Sequence, residues 1–117
     1  MTARGDDVYV HHITTSIAKI LEWARTREDF FDDERTREAV LRKLQTMAES
    51  VQKVSDALKA EYPEVPWREI ASVRNVLVHD YIGLNLERIW DIIENQLPPL
   101  HEPMARIYAA LSNKNAG

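Results

Sequence analysis

Apolar residues recur along most of this chain at the three- and four-residue spacing of helices that face a core. Asp6 and Asp7 are both suitable N-caps for the first predicted helix. Its apolar stripe then comprises Val10, Ile13, Ile17, Ile20, Leu21 and Ala24. A polar link that contains Phe30 and Phe31 separates it from a second helix, which is predicted to begin near positions 32–36.

The second predicted helix carries a seam of apolar residues separated by four, three, four, three and four positions: Val40, Leu44, Met47, Val51, Val54 and Leu58. This period of about 3.5 residues is typical of a helix packed along another helix. The helix is expected to end before the segment Tyr62-Pro63-Glu64-Val65-Pro66, because its two prolines cannot continue a helix.

Further helices are predicted in the second half of the chain. Pro66 suits the first turn of a third helix, from about Trp67 to about Tyr81, and Gly83 is expected to end it. Asn85 is the expected N-cap of a fourth helix, whose apolar residues are Leu86, Ile89, Trp90, Ile93 and Leu97.

Pro98-Pro99 is expected to kink or end the fourth helix. A short last helix is then predicted, followed by a frayed tail over residues 112–117; the apolar residues of that helix are Leu100, Met104, Ile107, Tyr108 and Leu111. β-Hairpin signals such as Asn-Gly and Asp-Gly are absent. The pattern therefore predicts one all-α domain over residues 1–117, an antiparallel bundle of four to five helices.

Composition narrows the chemistry. The chain has no cysteine, which excludes disulfides, thiolate zinc sites and cysteine nucleophiles. No apolar run approaches the roughly 18 residues of a membrane span, and the first nine residues are too polar for a signal peptide. We therefore expect a cytoplasmic protein without a membrane partner.

The overall charge argues against a dedicated non-specific nucleic-acid binder. Fifteen Lys and Arg against nineteen Asp and Glu give a net charge of −4, whereas phosphate contacts favour basic proteins. Any contact with RNA must therefore come from a local basic cleft.

Motifs for phosphate loops and metals are absent, and we expect no metal and no cofactor. The chain contains neither a Gly-rich phosphate loop nor two histidines at i, i+4 spacing. His11 and His12 are adjacent and point in different directions from a helix. For these two, and for His101 after the double proline, we expect an ordinary surface or partly packed role.

The candidate chemistry is concentrated in the stretch Arg74-Asn75-Val76-Leu77-Val78-His79-Asp80-Tyr81. Helical spacing predicts that Arg74 falls within an apolar stripe, whereas Asn75 and His79 share another face with Ser72. A continuous helix separates Arg74 and His79 by about 140°. They can meet one substrate only if the helix bends, the arginine arm wraps round, or two subunits form one cleft.

These residues also admit a purely structural interpretation. His79-Asp80 would then satisfy the last carbonyl groups of the helix. Arg74 would be a buried ion-pair partner of Glu49, and Tyr81 a core aromatic residue with a satisfied hydroxyl group.

The order Arg, four residues, His, one residue, Tyr resembles the signature of HepT-like toxins of the HEPN superfamily, the ribonuclease partners in MNT–HEPN toxin–antitoxin pairs. Further family landmarks occur in the same order over roughly residues 6–105: Phe30-Phe31-Asp32-Asp33, Met47-Ala48-Glu49-Ser50, the segment from Tyr62 to Trp67, Trp90 and Leu97-Pro98-Pro99-Leu100. One departure is Ala48, where the family often has glycine.

The resemblance implies a HEPN-type bundle and a metal-independent endoribonuclease with Arg74 and His79 as catalytic residues. The 2′-hydroxyl group of RNA would attack the neighbouring phosphate, with His79 moving protons and Arg74 stabilising the added charge. Asn75, four residues before His79, would orient the imidazole or hydrogen-bond the RNA. Two histidines serve an in-line displacement better than one, so we expect a homodimer with a shared cleft.

By the same resemblance, Tyr81 is the residue to which the cognate MNT-type nucleotidyltransferase antitoxin transfers AMP, which silences the toxin. This implies a type VII-like toxin–antitoxin pair. The alternative is a helical partner or substrate-binding module for a nucleotidyltransferase that cuts nothing. The complete set of Arg74, His79 and Tyr81 favours the enzyme.

Overall fold

The computed structural model describes residues 5–79 and 85–116, and within these ranges the chain forms helices and no strand. This confirms the predicted all-α class. The helices are α1 (Asp6–Trp23), α2 (Arg27–Asp32), α3 (Glu34–Lys53), α4 (Asp56–Glu61), α5 (Trp67–His79), α6 (Leu86–Asp91), a π-helical segment (Ile92–Gln96) and α7 (Pro98–Ala116).

The long helices form the bundle. Helix α1 packs against α3 and α7, and α3 also packs against α5. The apolar residues predicted for the first stripe and for the seam are buried, apart from the half-buried Leu21. Asp6, at the start of α1, bonds to Ser55, just beyond the end of α3, so these two helices run antiparallel as predicted.

The predicted N-cap of α1 is wrong. The helix begins at Asp6 itself, and Gly5 is the N-cap, with a left-handed φ of 100° that glycine adopts readily. The Asp6 carboxylate is 2% exposed and accepts hydrogen bonds from the Ser55 backbone N–H at 2.9 Å and the Ser55 hydroxyl at 2.6 Å. Asp6 therefore joins α1 to the turn after α3, because a buried carboxylate needs such donors.

The second predicted helix is divided into α3 and α4. Val54 is extended, with φ −64° and ψ 137°, and the Ser55 hydroxyl caps α4 by accepting from the Leu58 backbone N–H at 3.2 Å. Serine favours a cap over a helix interior because its hydroxyl group competes for backbone groups. Val54 and Leu58 remain buried on either side of the break, so the seam continues across it.

The polar link contains the short helix α2. Thr26 and Asp29 form a reciprocal capping box at its start. Phe30 is buried, with its ring centroid 6.0 Å from that of Trp90. Arg27 also forms an ion pair with Glu87 of α6. The link thus fixes the start of α6 to the rest of the bundle.

The C-terminal third follows the sequence prediction at its start and departs from it later. Asn85 caps α6 as predicted, with its side chain accepting from the Arg88 backbone N–H at 3.2 Å. A π-helical segment follows, and α7 begins at Pro98, where a missing N–H costs no helical hydrogen bond. Helix α7 has 19 residues and reaches Ala116, so it is longer than the short helix predicted and includes most of the expected tail.

None of the helices in residues 5–79 and 85–116 is long and apolar enough to cross a membrane. The assignment of residues 1–117 to one domain stays a prediction.

Candidate active site

Helix α5 carries the first part of the candidate site and begins where the sequence predicts. The Pro66 carbonyl accepts from the Ile70 backbone N–H at 3.1 Å, and the Trp67 ring N–H donates to the Tyr62 carbonyl at 3.0 Å. Trp67 is buried, and this bond satisfies the polar atom of its ring. The first turn of α5 is thereby fixed against the preceding segment.

The exposure of Arg74 differs from the prediction that it lies within an apolar stripe. Ile70 and Val73 are buried, Leu77 is half-buried, and Arg74 and Asn75 are exposed. Around the axis of α5, Arg74 lies about 70° from the direction midway between Ile70 and Val73. Arg74 thus lies at the edge of the buried stripe of α5, and its side chain is exposed to solvent.

The suggested buried pair of Arg74 with Glu49 is also wrong. Glu49 accepts from the Gln45 side-chain amide at 3.3 Å. In the described part of the chain, the ion pairs are Arg27 with Glu87 and Arg106 with Glu102. Arg74 is therefore not held by a described carboxylate, and its planar cation can bind an anion from outside the protomer.

The path of α5 limits how Arg74 and His79 can cooperate. Every residue of α5 is α-helical as far as His79, so no bend brings the two positions together within that range. They remain about 140° apart around the helix axis. A long arginine arm or a second subunit therefore remains as a route to one shared substrate. The side chain of His79 and all of Tyr81 lie outside the described part of the chain.

A polar cleft of about 180 Å³ lies between α5 on one side and α6 with the following π-helical segment on the other. Glu69 and Ser72 line it from α5, Arg88 and Asp91 from α6, and Gln96 from the π-helical segment. The sequence interpretation missed this cleft. No local pattern marks it, because its two walls come from different parts of the chain.

The histidines of α1 have the surface or partly packed roles expected for them, with His11 exposed and His12 half-buried. His12 Nδ1 is 2.7 Å from the Ser50 hydroxyl, and Nε2 is 3.4 Å from the Ser16 hydroxyl. Burial lowers the pKa of His12, and the nearby Lys43 lowers it further. The His11 ring centroid lies 4.6 Å from that of Tyr108.

The exposed part of α5 carries a group that can bind an anion. The Arg74 guanidinium and the Asn75 amide occupy successive exposed positions, about 100° apart around the helix axis. Within residues 5–79 and 85–116, no group of three His, Asp or Glu side chains is placed to hold a metal ion. A guanidinium group can donate two parallel hydrogen bonds to a phosphate, and an amide group can donate or accept beside it.

Comparison with known proteins identifies the family that this chain resembles. The profile of the family described as "Ribonuclease HepT-like" matches residues 13–107. A protein from Thermococcus cleftensis named as a probable ribonuclease HepT is 34% identical over 99 residues, which cover 83% of this chain and 90% of the relative. A candidate RNase from Methanocaldococcus jannaschii is 34% identical over 92 residues, or 77% of this chain and 76% of the relative.

A longer relative from Methanocaldococcus jannaschii is named as a gamma-glutamylcyclotransferase and candidate RNase. It is 31% identical over 111 residues, which cover 92% of this chain and 50% of the relative. The chain thus spans half the length of that protein. No solved structure gives a significant match to this chain.

Proposed function

The chain belongs to the family of HepT-like ribonucleases, and we propose that it is the RNA-cleaving toxin of an MNT–HEPN pair of the type VII kind. The family match over residues 13–107 includes the candidate signature at positions 74–81. The observation that carries the proposal is the exposure of Arg74, which lies at the edge of the buried stripe of α5 and next to the exposed Asn75 in the sequence. An arginine with only a packing role would be buried or would form an ion pair with a carboxylate.

The proposed reaction needs no metal. The RNA 2′-oxygen forms a bond to the adjacent phosphorus, and the bond from phosphorus to the 5′-oxygen of the next nucleotide breaks. A base takes the 2′-hydroxyl proton, and an acid supplies a proton to the 5′-oxygen. The products are a 2′,3′-cyclic phosphate and a 5′-hydroxyl group.

His79 is assigned the proton transfer, because an imidazole group exchanges protons near neutral pH. Arg74 binds the non-bridging oxygens and stabilises the charge that grows in the transition state. Asn75 lies four residues before His79 on α5 and is assigned a supporting role, to orient the imidazole or to hydrogen-bond the RNA.

A homodimer is proposed to complete the site. One histidine cannot easily serve both sides of an in-line displacement, and an unbroken α5 leaves positions 74 and 79 on different sides of the helix axis. A two-fold contact through the exposed face of α5 would bring residues of both subunits into one groove. It would also concentrate two guanidinium groups on a protein whose net charge is −4.

Control is proposed to act through Tyr81. A partner nucleotidyltransferase of the MNT type would use ATP as the donor, and the phenolic oxygen would attack the α-phosphate. A new P–O bond forms, pyrophosphate leaves and the phenol loses its proton. The added AMP would compete with RNA for the same cations.

The decisive experiment is incubation of the purified protein with total RNA in EDTA, with His79→Ala as the matched variant. Cleavage by the wild type but not by the variant is expected, with cyclic phosphate ends on the products. Cleavage that stops in EDTA would exclude the metal-free scheme. Absence of cleavage under all conditions would favour the alternative, a partner module for a nucleotidyltransferase.

A further inference from the structure

The polar cleft beside α5 combines hydrogen-bond donors and acceptors in a small volume. Its volume of about 180 Å³ is about six times the share of one water molecule in the liquid, enough for one planar base but not for a whole nucleotide. Val73, Val76 and Ile92 provide apolar surface within it. Five polar and three apolar side chains line the cleft, so a ligand there would contact both kinds of surface.

One edge of the cleft, at Ser72, lies on the face of α5 that carries position 79. Ser72, which lines the cleft, is seven residues before His79. In a continuous helix this is about 20° around the axis and about 10 Å along it. Positions 72 and 79 therefore lie on one face, at a separation that neighbouring nucleotides of a single strand can span.

The charges of the cleft favour a base over a phosphate. Glu69 and Asp91 supply two carboxylates against the single guanidinium of Arg88, which repels a phosphate group. The carboxylates can accept hydrogen bonds from ring N–H and exocyclic amino groups, and Arg88 can donate to carbonyl and ring-nitrogen acceptors.

Guanine matches this set best among the four RNA bases. Its N1–H and N2 amino group are donors on one edge, and its O6 and N7 are acceptors on another. Adenine lacks the carbonyl oxygen, uracil lacks the amino group, and cytosine has both but lacks a ring N–H donor beside its amino group. We propose that the cleft binds the guanine base of a nucleotide close to the scissile phosphate, a subsite that rests on the proposed ribonuclease function.

The first test uses cleavage sites mapped in total RNA and short RNAs made from them. Guanine is expected at one fixed position beside the cut, and its replacement by adenine or uracil should raise KM roughly tenfold or more with a smaller change in kcat. Glu69→Gln and Arg88→Gln should each remove most of this discrimination. Glu64→Gln and Arg68→Gln change equally exposed charges outside the cleft and should retain it.

The second test does not depend on cleavage. Backbone NMR signals of Ser72, Val76 and Arg88 should shift with GMP at millimolar concentration and much less with UMP. If these shifts occur without any RNA cleavage, the proposed function fails and the base site stands. Cleavage without base preference overturns the subsite, as do equal losses in the control variants or a GMP titration that leaves the signals of Ser72, Val76 and Arg88 unchanged.

Discussion

Arg74 and Ile70 lie one helical turn apart on α5, yet Ile70 is 4% exposed in the core and Arg74 lies in solvent. Substitutions at these two positions can therefore distinguish the contribution of α5 to stability from its proposed role in catalysis.

Arg74→Ala is expected to lower RNA cleavage by roughly a hundredfold to a thousandfold, because it removes the cation that stabilises phosphate charge. Its free energy of unfolding should change by no more than about 0.5 kcal/mol, since the side chain is exposed. Thermal unfolding and a cleavage assay on the same preparations measure both quantities.

Ile70→Ala is the matched control on the buried side of α5. It should lower the free energy of unfolding by about 2–5 kcal/mol through lost burial and a cavity. If Arg74→Ala loses activity only together with a comparable loss of stability, its assignment as a catalytic residue is wrong.

The shared groove predicts that one inactive subunit disables the whole dimer. When differently tagged wild-type and His79→Ala chains are co-expressed, about half of the dimers contain one of each, and each of these has only one of the two histidines that the in-line displacement is proposed to use. Purified mixed dimers should therefore keep much less than half of the wild-type activity. Half of the wild-type activity would mean that each subunit works alone, and a strict monomer in light scattering would exclude the cleft.

The hydrogen bonds that Asp6 accepts from Ser55 predict that substitutions of two adjacent aspartates lower the free energy of unfolding by different amounts. Asp6→Ala leaves the Ser55 N–H and hydroxyl groups without their acceptor and should lower the free energy of unfolding by about 1–3 kcal/mol. Asp7→Ala removes only a charge from the first turn of α1 and should cost no more than about 1 kcal/mol. Equal costs in urea unfolding would show that the Asp6 carboxylate acts mainly as a helix-end charge.

These contrasts show what the amino-acid pattern can predict. The buried stripe of α1 and the seam of α3 follow from spacing, because a helix turns by a fixed angle per residue. The role of Asp6 does not, since its partner lies 49 residues away. The exposure of Arg74 could not be predicted from spacing either, because it depends on how far the neighbouring helices extend over one side of α5.

The same limit applies to the cleft beside α5. Asn85 was identifiable as the N-cap of α6, since capping needs only neighbours in the chain. The approach of Arg88 and Asp91 to Glu69 and Ser72 depends on the packing of two helices and on the π-helical segment between α6 and α7. The spacing of apolar residues along the chain does not predict such packing between helices.

His12 predicts an acid-dependent loss of stability. Burial and Lys43 hold its pKa in the folded protein below the ordinary value of 6.5. As the pH falls through this value, the unfolded chain binds a proton that the folded protein resists, so the free energy of unfolding decreases. His12→Gln should flatten the decline between about pH 7 and about pH 5 in urea unfolding. His11→Gln removes only the smaller effect of the His11 charge and keeps the burial of His12, its serine partners and Lys43, so it should retain most of the wild-type slope.

Tyr81→Phe tests the proposed control by AMP. The variant should cleave RNA at the wild-type rate, because the phenolic oxygen has no part in the proposed reaction. It should escape silencing by a cognate nucleotidyltransferase supplied with ATP and Mg²⁺, since phenylalanine offers no oxygen to accept AMP. An AMP group would add roughly one negative charge and a bulky base to the chain, by the electrostatic rules that govern phosphorylation. Intact-mass spectrometry should show one or more AMP additions on the wild type and none on the variant. An unmodified wild type after co-expression with an active partner enzyme, or a Tyr81→Phe protein that is still silenced, would mean that control acts elsewhere.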